Sequence, residues 1–159
     1  MPAAAIISAR RILIATDGSP GALHAARWAA ATFGLDTDDI ILLTVVEPPA
    51  RLGRADIFLL PNDAIQDAAD QSVDEAVAAI AATRTALGGR PARGAVMQAA
   101  PADGILRAIE WFRPDAVVLG KRGLGRLGRR LLGSVSAAVA ARSPVPVFVV
   151  PTPLPEDRP

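Results

Sequence analysis

The sequence predicts an α/β fold: a single doubly wound parallel five-stranded sheet with helices on both faces. Three observations lead there. Apolar runs rich in Val, Ile and Leu recur at 11–16, 40–46, 115–119 and 145–150. Runs of this kind, lacking polar alternation, suit strands buried on both faces. Segments of helical pattern separate them, and strand–helix alternation is the mark of parallel βαβ units. Right-handed crossovers then leave few topologies, and a strand order of 3-2-1-4-5 is expected.

The first strand, 11–16, carries Ile12, Leu13 and Ile14 unbroken and is stopped by Asp17-Gly18-Ser19-Pro20. Ser19 suits an N-cap and Pro20 a first helical position, so a helix is expected from Pro20 to Phe33. The second strand, 40–46, is closed by Pro48-Pro49, and Glu47 reads as a solvated strand end. Residues 47–61 read as the longest irregular stretch, with Phe58, Leu59 and Leu60 folding back onto an apolar surface. A long helix is expected over 62–87, acidic early and ended by Gly88-Gly89. A weaker third strand covers 93–100, and the helix 101–112 is expected to anchor Trp111 and Phe112 on the sheet. The fourth strand spans 115–119, the last helix 134–142 and the last strand 145–150. Trp28 and Phe33 are expected as core contacts, whereas His24, among alanines, reads as a helix-surface or packing residue without chemistry. The chain therefore divides into an N-terminal tail, 1–9, one domain, 10–150, and a Pro-rich tail, 151–159, expected to be disordered.

Composition narrows the function. With 51% hydrophobic and 21% charged residues the chain is globular rather than disordered. A formal charge of +1 implies no global attraction to nucleic acid or to a membrane surface. The absence of cysteine excludes disulfides and thiolate chemistry, and the single histidine excludes a multi-histidine metal site. No run of 18 apolar residues suggests a membrane span. The apolar start, Met1 to Ile7, lacks a basic flank before it, so a cytoplasmic location is expected.

The residues that carry chemistry begin at the end of the fourth strand. Gly120 closes the strand, Gly123 follows, and Gly133-Ser134-Val135-Ser136 opens the last helix. Glycines let a backbone approach a bulky anion, and the N–H groups of a helix start attract negative charge. Ser134 and Ser136 add hydroxyls that either cap the helix or bind phosphate. No G-x-x-x-x-G-K-[ST] occurs, so this is not a Walker loop. With the order 3-2-1-4-5, the turns after the first and fourth strands meet where open α/β sheets take their ligands. Between the glycines lie Lys121, Arg122, Arg126, Arg129 and Arg130 without an acid. They read either as phosphate contacts, Lys121 and Arg122 first, or as a solvated loop with stems lying on the protein. A nucleic-acid role is disfavoured, since no aromatic residue interleaves with them.

Taken together, these residues resemble the universal stress protein family in its ATP-binding branch, over about residues 8–150. The G-x2-G-x9-G-[ST] signature is matched by Gly120, Gly123, Gly133 and Ser134. Ile-Leu-Ile-Ala-Thr-Asp-Gly-Ser at 12–19, Leu-Leu-Thr-Val-Val-Glu at 42–47 and Pro-Val-Pro-Val-Phe-Val-Val at 144–150 support it. The resemblance implies a Rossmann-like fold in which Ala15, Thr16 and Asp17 meet adenine and ribose, Asp17 through its carboxylate. It implies that the Val45 backbone touches the adenine edge and that Gly120 lies near the ribose. Gly123, Gly133, Ser134, Val135 and Ser136 would surround the phosphates with Mg or Mn, although no metal ligand is identified. It also implies a homodimer pairing through the last strand, about 145–150. Lys121 departs from the pattern, which usually has a small polar residue there; the basic loop is read as tuning of ligand affinity or choice.

The function expected is therefore an ATP-binding regulatory or stress-response module with slow or absent hydrolysis and no catalytic residue. Asp17 is the one carboxylate placed in the crevice, at the adenosine end, whereas hydrolysis needs a positioned water and a group to orient it. Two alternatives remain. One is a nucleotide-free interaction module of the same fold, which the intact glycine signature argues against. The other is an adenylating enzyme of the adenine-nucleotide hydrolase-like architecture. Its pyrophosphate loop would need an N–H that Pro20 lacks.

Overall fold

The computed structural model describes residues 11–33, 39–47, 57–60, 71–121 and 133–152. Strands β1 (Arg11–Ala15), β2 (Asp39–Val46), β3 (Ile57–Leu60), β4 (Arg93–Gln98), β5 (Ala116–Gly120) and β6 (Val147–Val150) form one sheet. Helices α1 (Pro20–Phe33), α2 (Gln71–Ala86), α3 (Pro101–Phe112) and α4 (Ser134–Arg142) complete the described elements. The sheet order is β3-β4-β2-β1-β5-β6. Its five parallel strands follow one another as β4-β2-β1-β5-β6, the order 3-2-1-4-5 expected from the sequence.

β3 is an addition to that expectation. It pairs antiparallel with β4, Ile57 opposite Met97 and Leu60 opposite Gly94, within a stretch read as irregular. A four-residue apolar run carries no decisive period, and pairing with an available edge makes it a strand.

Alternation along the strands sorts the core into two layers. Ile12, Ile14, Ile40, Leu42, Val96 and Val118 pack with α1 and α2 on one face. Leu13, Ile41, Leu43, Ala95, Val117 and Leu119 pack with α3 and α4 on the other. Both faces are covered, which is why these strands read as unbroken apolar runs.

The helix ends follow local rules. The Ser19 hydroxyl accepts the Ala22 N–H at 3.3 Å, capping α1 at the expected position. Ala22, Ala25, Ala26, Ala29 and Phe33 form its buried stripe, small enough to bring the helix close to the sheet. α2 stops at Gly88 and Gly89, whose φ angles of +69° and +80° are left-handed, as the glycine pair predicts. The segment 62–70, also expected as helix, lies outside the described residues.

One anchor is corrected. Phe112 is buried, but Trp111 is 66% exposed. Ile105, Ala108, Ile109 and Phe112 occupy the i, i+3, i+4, i+7 stripe of α3, and Trp111 stands about 100° off it. Trp28 and Phe33 are core contacts as expected, meeting Phe148 of β6 with ring centroids 5.7 and 5.3 Å away.

At the amino-terminal edge of the sheet, Asp39 joins three strands. Its carboxylate accepts from Arg11 Nε at 2.7 Å and from Arg93 Nη2 and Nε at 2.7 and 3.0 Å. Arg11 Nη1 also donates to the Phe112 carbonyl at 2.8 Å, tying in the end of α3. This cluster leaves the opposite, carboxyl-terminal edge to the candidate site.

Candidate functional site

The chain runs outward from β1 through β2 to β4 and then returns to β5 on the other side of β1. The strand order reverses between β1 and β5, and a cleft opens there beyond their carboxyl ends. Its volume, about 140 Å³, is roughly ten times what one ordered water needs, so the space suits an organic ligand.

One wall is the turn from β1 into α1. Ala15, Thr16, Asp17 and Ser19 line the cleft there. Gly18 takes φ +74°, and a Cβ on it would lie 3.1 Å from Cα and Cβ of Ala79 on α2. Asp17 Oδ1 accepts the Ser19 N–H at 3.0 Å, which closes the turn on itself. The helix cap is Ser19, so Asp17 presents an exposed carboxylate at the cleft without serving as the cap of α1.

The facing wall is the end of β5. A Cβ on Gly120 would stand 2.8 Å from the Gly21 carbonyl carbon and oxygen and 3.0 Å from the Ala22 nitrogen. Only glycine at 120 lets β5 and the first turn of α1 meet backbone to backbone. A Cβ on Gly21 would come within 3.0 Å of Thr152 Oγ1 and 3.5 Å of the Lys121 carbonyl oxygen. Thr152, expected in a disordered tail, thus packs against the start of α1; residues 153–159 lie outside the described ones. Lys121 borders the cleft, and its N–H donates to the Val150 carbonyl at 2.8 Å.

The start of α4 closes one end. Gly133, Ser134, Val135 and Ser136 line the cleft; Ser134 is exposed and Ser136 buried. Gly133 is the N-cap and, among the described residues, no side chain caps the helix, so the reading of Ser134 or Ser136 as its cap does not hold. Uncapped first-turn N–H groups carry the positive end of the helix dipole. The floor is apolar, built by Leu43, Val45, Leu119 and Ile105.

Every described residue expected at the site therefore borders one cleft. Arg122 and Gly123, with the basic loop to 130, lie outside the described residues. Sequence reasoning missed Gly21 and Gly104, which shape the cleft, and Thr83 of α2, whose hydroxyl lies 2.7 Å from that of Thr16. A Cβ on Gly104 of α3 would meet Val45 Cγ1 and Cγ2 at 2.5 and 2.9 Å, so its absence gives Val45 its place in the floor. Glycine inside a helix costs about 1 kcal/mol, and that cost was the signal available for Gly21 and Gly104. Thr83 stands in an alanine-rich helix with no such signal.

Fold and cleft together define a doubly wound α/β protein with a cleft at the switch point of its sheet. The universal stress protein family model matches residues 8–151, and the chain belongs to that family. A universal stress protein of Thermus aquaticus is 34% identical over 143 residues, covering 89% of this chain and 98% of that one. Rv1636 of Mycobacterium tuberculosis, another universal stress protein, is 27% identical over 90% of this chain and 97% of its own. Among solved structures, a universal stress protein in complex with cAMP aligns with a TM-score of 0.62 at 25% identity. That alignment covers 90% of this chain and 97% of the other. Among the described residues, no helix is long and apolar enough to cross a membrane.

Proposed function

We propose that this chain binds ATP in the switch-point cleft and acts as a regulatory or stress-response module of the cytoplasm. The observation that carries the reading is the close approach of Gly120 to the Gly21 backbone, which brings the turns after β1 and β5 together on one cleft. The apolar floor at Leu43, Val45 and Ile105 suits a base, Asp17 suits ribose hydroxyls, and the uncapped start of α4 suits phosphate. The cAMP complex of a 25% identical relative supports an adenine nucleotide as the ligand class. In this reading Ala15, Thr16, Asp17 and Val45 hold the adenosine, with Gly120 near the ribose. Gly123, Gly133, Ser134, Val135 and Ser136 surround the phosphates, with Lys121 and Arg122 beside them.

Among the described residues no three His, Cys, Asp or Glu side chains cluster to hold a metal ion. Mg²⁺ or Mn²⁺ would accordingly be carried by phosphate oxygens and water, as Mg²⁺ commonly is. Binding is favoured over turnover, because Asp17 is the one carboxylate among the described lining residues and it sits on the turn assigned to adenosine. Hydrolysis should fall well below the usual range of about 1–1000 per second.

The working unit in this reading is a homodimer through β6. The Pro146 and Val150 carbonyls accept from the N–H groups of Val117 and Lys121, so in a parallel ladder Val147 and Val149 turn their backbone groups away from β5. Titration calorimetry with ATP, AMP and cAMP, each with and without Mg²⁺, tests the ligand. ATP binding tighter than AMP binding supports a phosphate cradle at α4; binding of none of the three refutes the reading.

A further inference from the structure

A chain of hydroxyls links α2 to the turn that carries Asp17. The Thr83 hydroxyl donates to the Ala79 carbonyl at 2.7 Å, and Thr83 Oγ1 lies 2.7 Å from Thr16 Oγ1. Thr83 has one hydroxyl hydrogen and has spent it on Ala79, so the Thr16 hydroxyl must donate to Thr83. Thr16 Oγ1 in turn accepts the Gly18 N–H at 3.1 Å. The order of donation is thus Gly18 N–H to Thr16, Thr16 to Thr83, and Thr83 to Ala79. The backbone of Thr16 is held as well: its N–H donates to the Leu43 carbonyl and its carbonyl accepts from Thr44 Oγ1, both at 2.8 Å. Thr83 is fully buried and Thr16 is 6% exposed, so water is not at hand to replace these bonds. A Cβ on Gly18 would lie 3.1 Å from Ala79 on the same helix, so α2 packs closely against the turn as well.

Two consequences follow for the cleft. The Thr16 hydroxyl hydrogen points to α2, so Thr16 meets a ligand without donating to it. The placement of Asp17, between Thr16 and Gly18, depends on an acceptor that lies on another element altogether.

We propose that Thr83 is a positioning residue for the ligand site: acting through the Thr16 hydroxyl, it sets the geometry of the Asp17 turn and couples α2 to nucleotide affinity. For its ligand the proposal rests on the ATP reading above. Thr83→Val keeps the shape of the side chain and removes the acceptor, whereas Thr83→Ser keeps the acceptor. Titration with Mg·ATP at 25 °C should show about tenfold weaker binding for Thr83→Val, the scale of one unsatisfied buried hydroxyl. Thr83→Ser should stay within about twofold of wild type on the same scale. Phe112→Leu, a core change at the opposite edge of the sheet, should lower the Tm without changing affinity.

Amide exchange of Gly18 and Ser19 in ligand-free protein gives a second readout. It should accelerate in Thr83→Val and not in Thr83→Ser. Wild-type affinity and exchange in Thr83→Val overturn the proposal. So does loss of affinity in Thr83→Val and Phe112→Leu alike in proportion to lost stability, since that marks a structural effect only. If wild type binds no nucleotide, the ATP reading fails, and exchange at Gly18 still decides whether Thr83 holds the turn.

Discussion

Single atoms decide much of this site. Gly120→Ala would push a methyl into the Gly21 carbonyl and Ala22 nitrogen, backbone atoms that cannot swing aside. Overpacking of this kind costs about 1–3 kcal/mol, to be read by urea unfolding, and it should separate the two turns and weaken ATP binding. Gly104→Ala meets the methyls of Val45 instead, a side chain stiff at χ1. It should destabilise by about 1–3 kcal/mol, and Val45→Ala in the same chain should restore part of that loss by making room. Additive losses in that pair would mean that Gly104 and Val45 do not share the space. At Asp17, substitution by Asn keeps an oxygen for the Ser19 N–H and removes the charge. ATP affinity should fall by about 1.5–3 kcal/mol if charge-assisted bonds to ribose are made, measured by titration calorimetry.

At the scale of elements, what was legible depended on local signals. α1, α3 and α4 match the expected spans because Ser-Pro and Ala-Pro entries and the serine-rich start of α4 lie in the sequence itself. The glycine pair after α2 was equally legible. β3 and Trp111 were not. A short apolar run becomes a strand only when an edge is offered, and a tryptophan at a helix end looks like an anchor until the buried stripe is known. The site was half legible for the same reason. Glycines and serines in a turn point to a candidate site, but the Thr83 hydroxyl that meets Thr16 lies 67 residues away in sequence. The Asp39 cluster was equally invisible, since it joins β1, β2 and β4. Asp39 and Arg11 side chains are 32% and 41% exposed, so Asp39→Asn should cost only about 0.5–1 kcal/mol. That difference should shrink in 1 M salt, and ATP affinity should not change, because the cluster sits on the far edge of the sheet.

For the whole molecule, the proposed ligand site and the proposed assembly edge draw on the same strands. β5 ends in Gly120 at the cleft and pairs with β6, whose outer edge pairs with no other described strand and would meet a second copy in the proposed dimer. Val149→Pro removes an outward N–H while leaving the carbonyls of Pro146 and Val150 to β5. Light scattering should then report a folded monomer where wild type is a dimer; an unchanged mass would place the interface elsewhere. Nucleotide binding at the switch point is read by thermal unfolding with and without Mg·ATP. A ligand at about 100 times its Kd adds roughly 2.7 kcal/mol, on the order of 5–10 °C in Tm for a domain of this size. A rise of that order is expected with ATP and little with GTP, in protein freed of co-purified nucleotide. No rise at millimolar ATP would contradict it and leave a nucleotide-free module of the same fold.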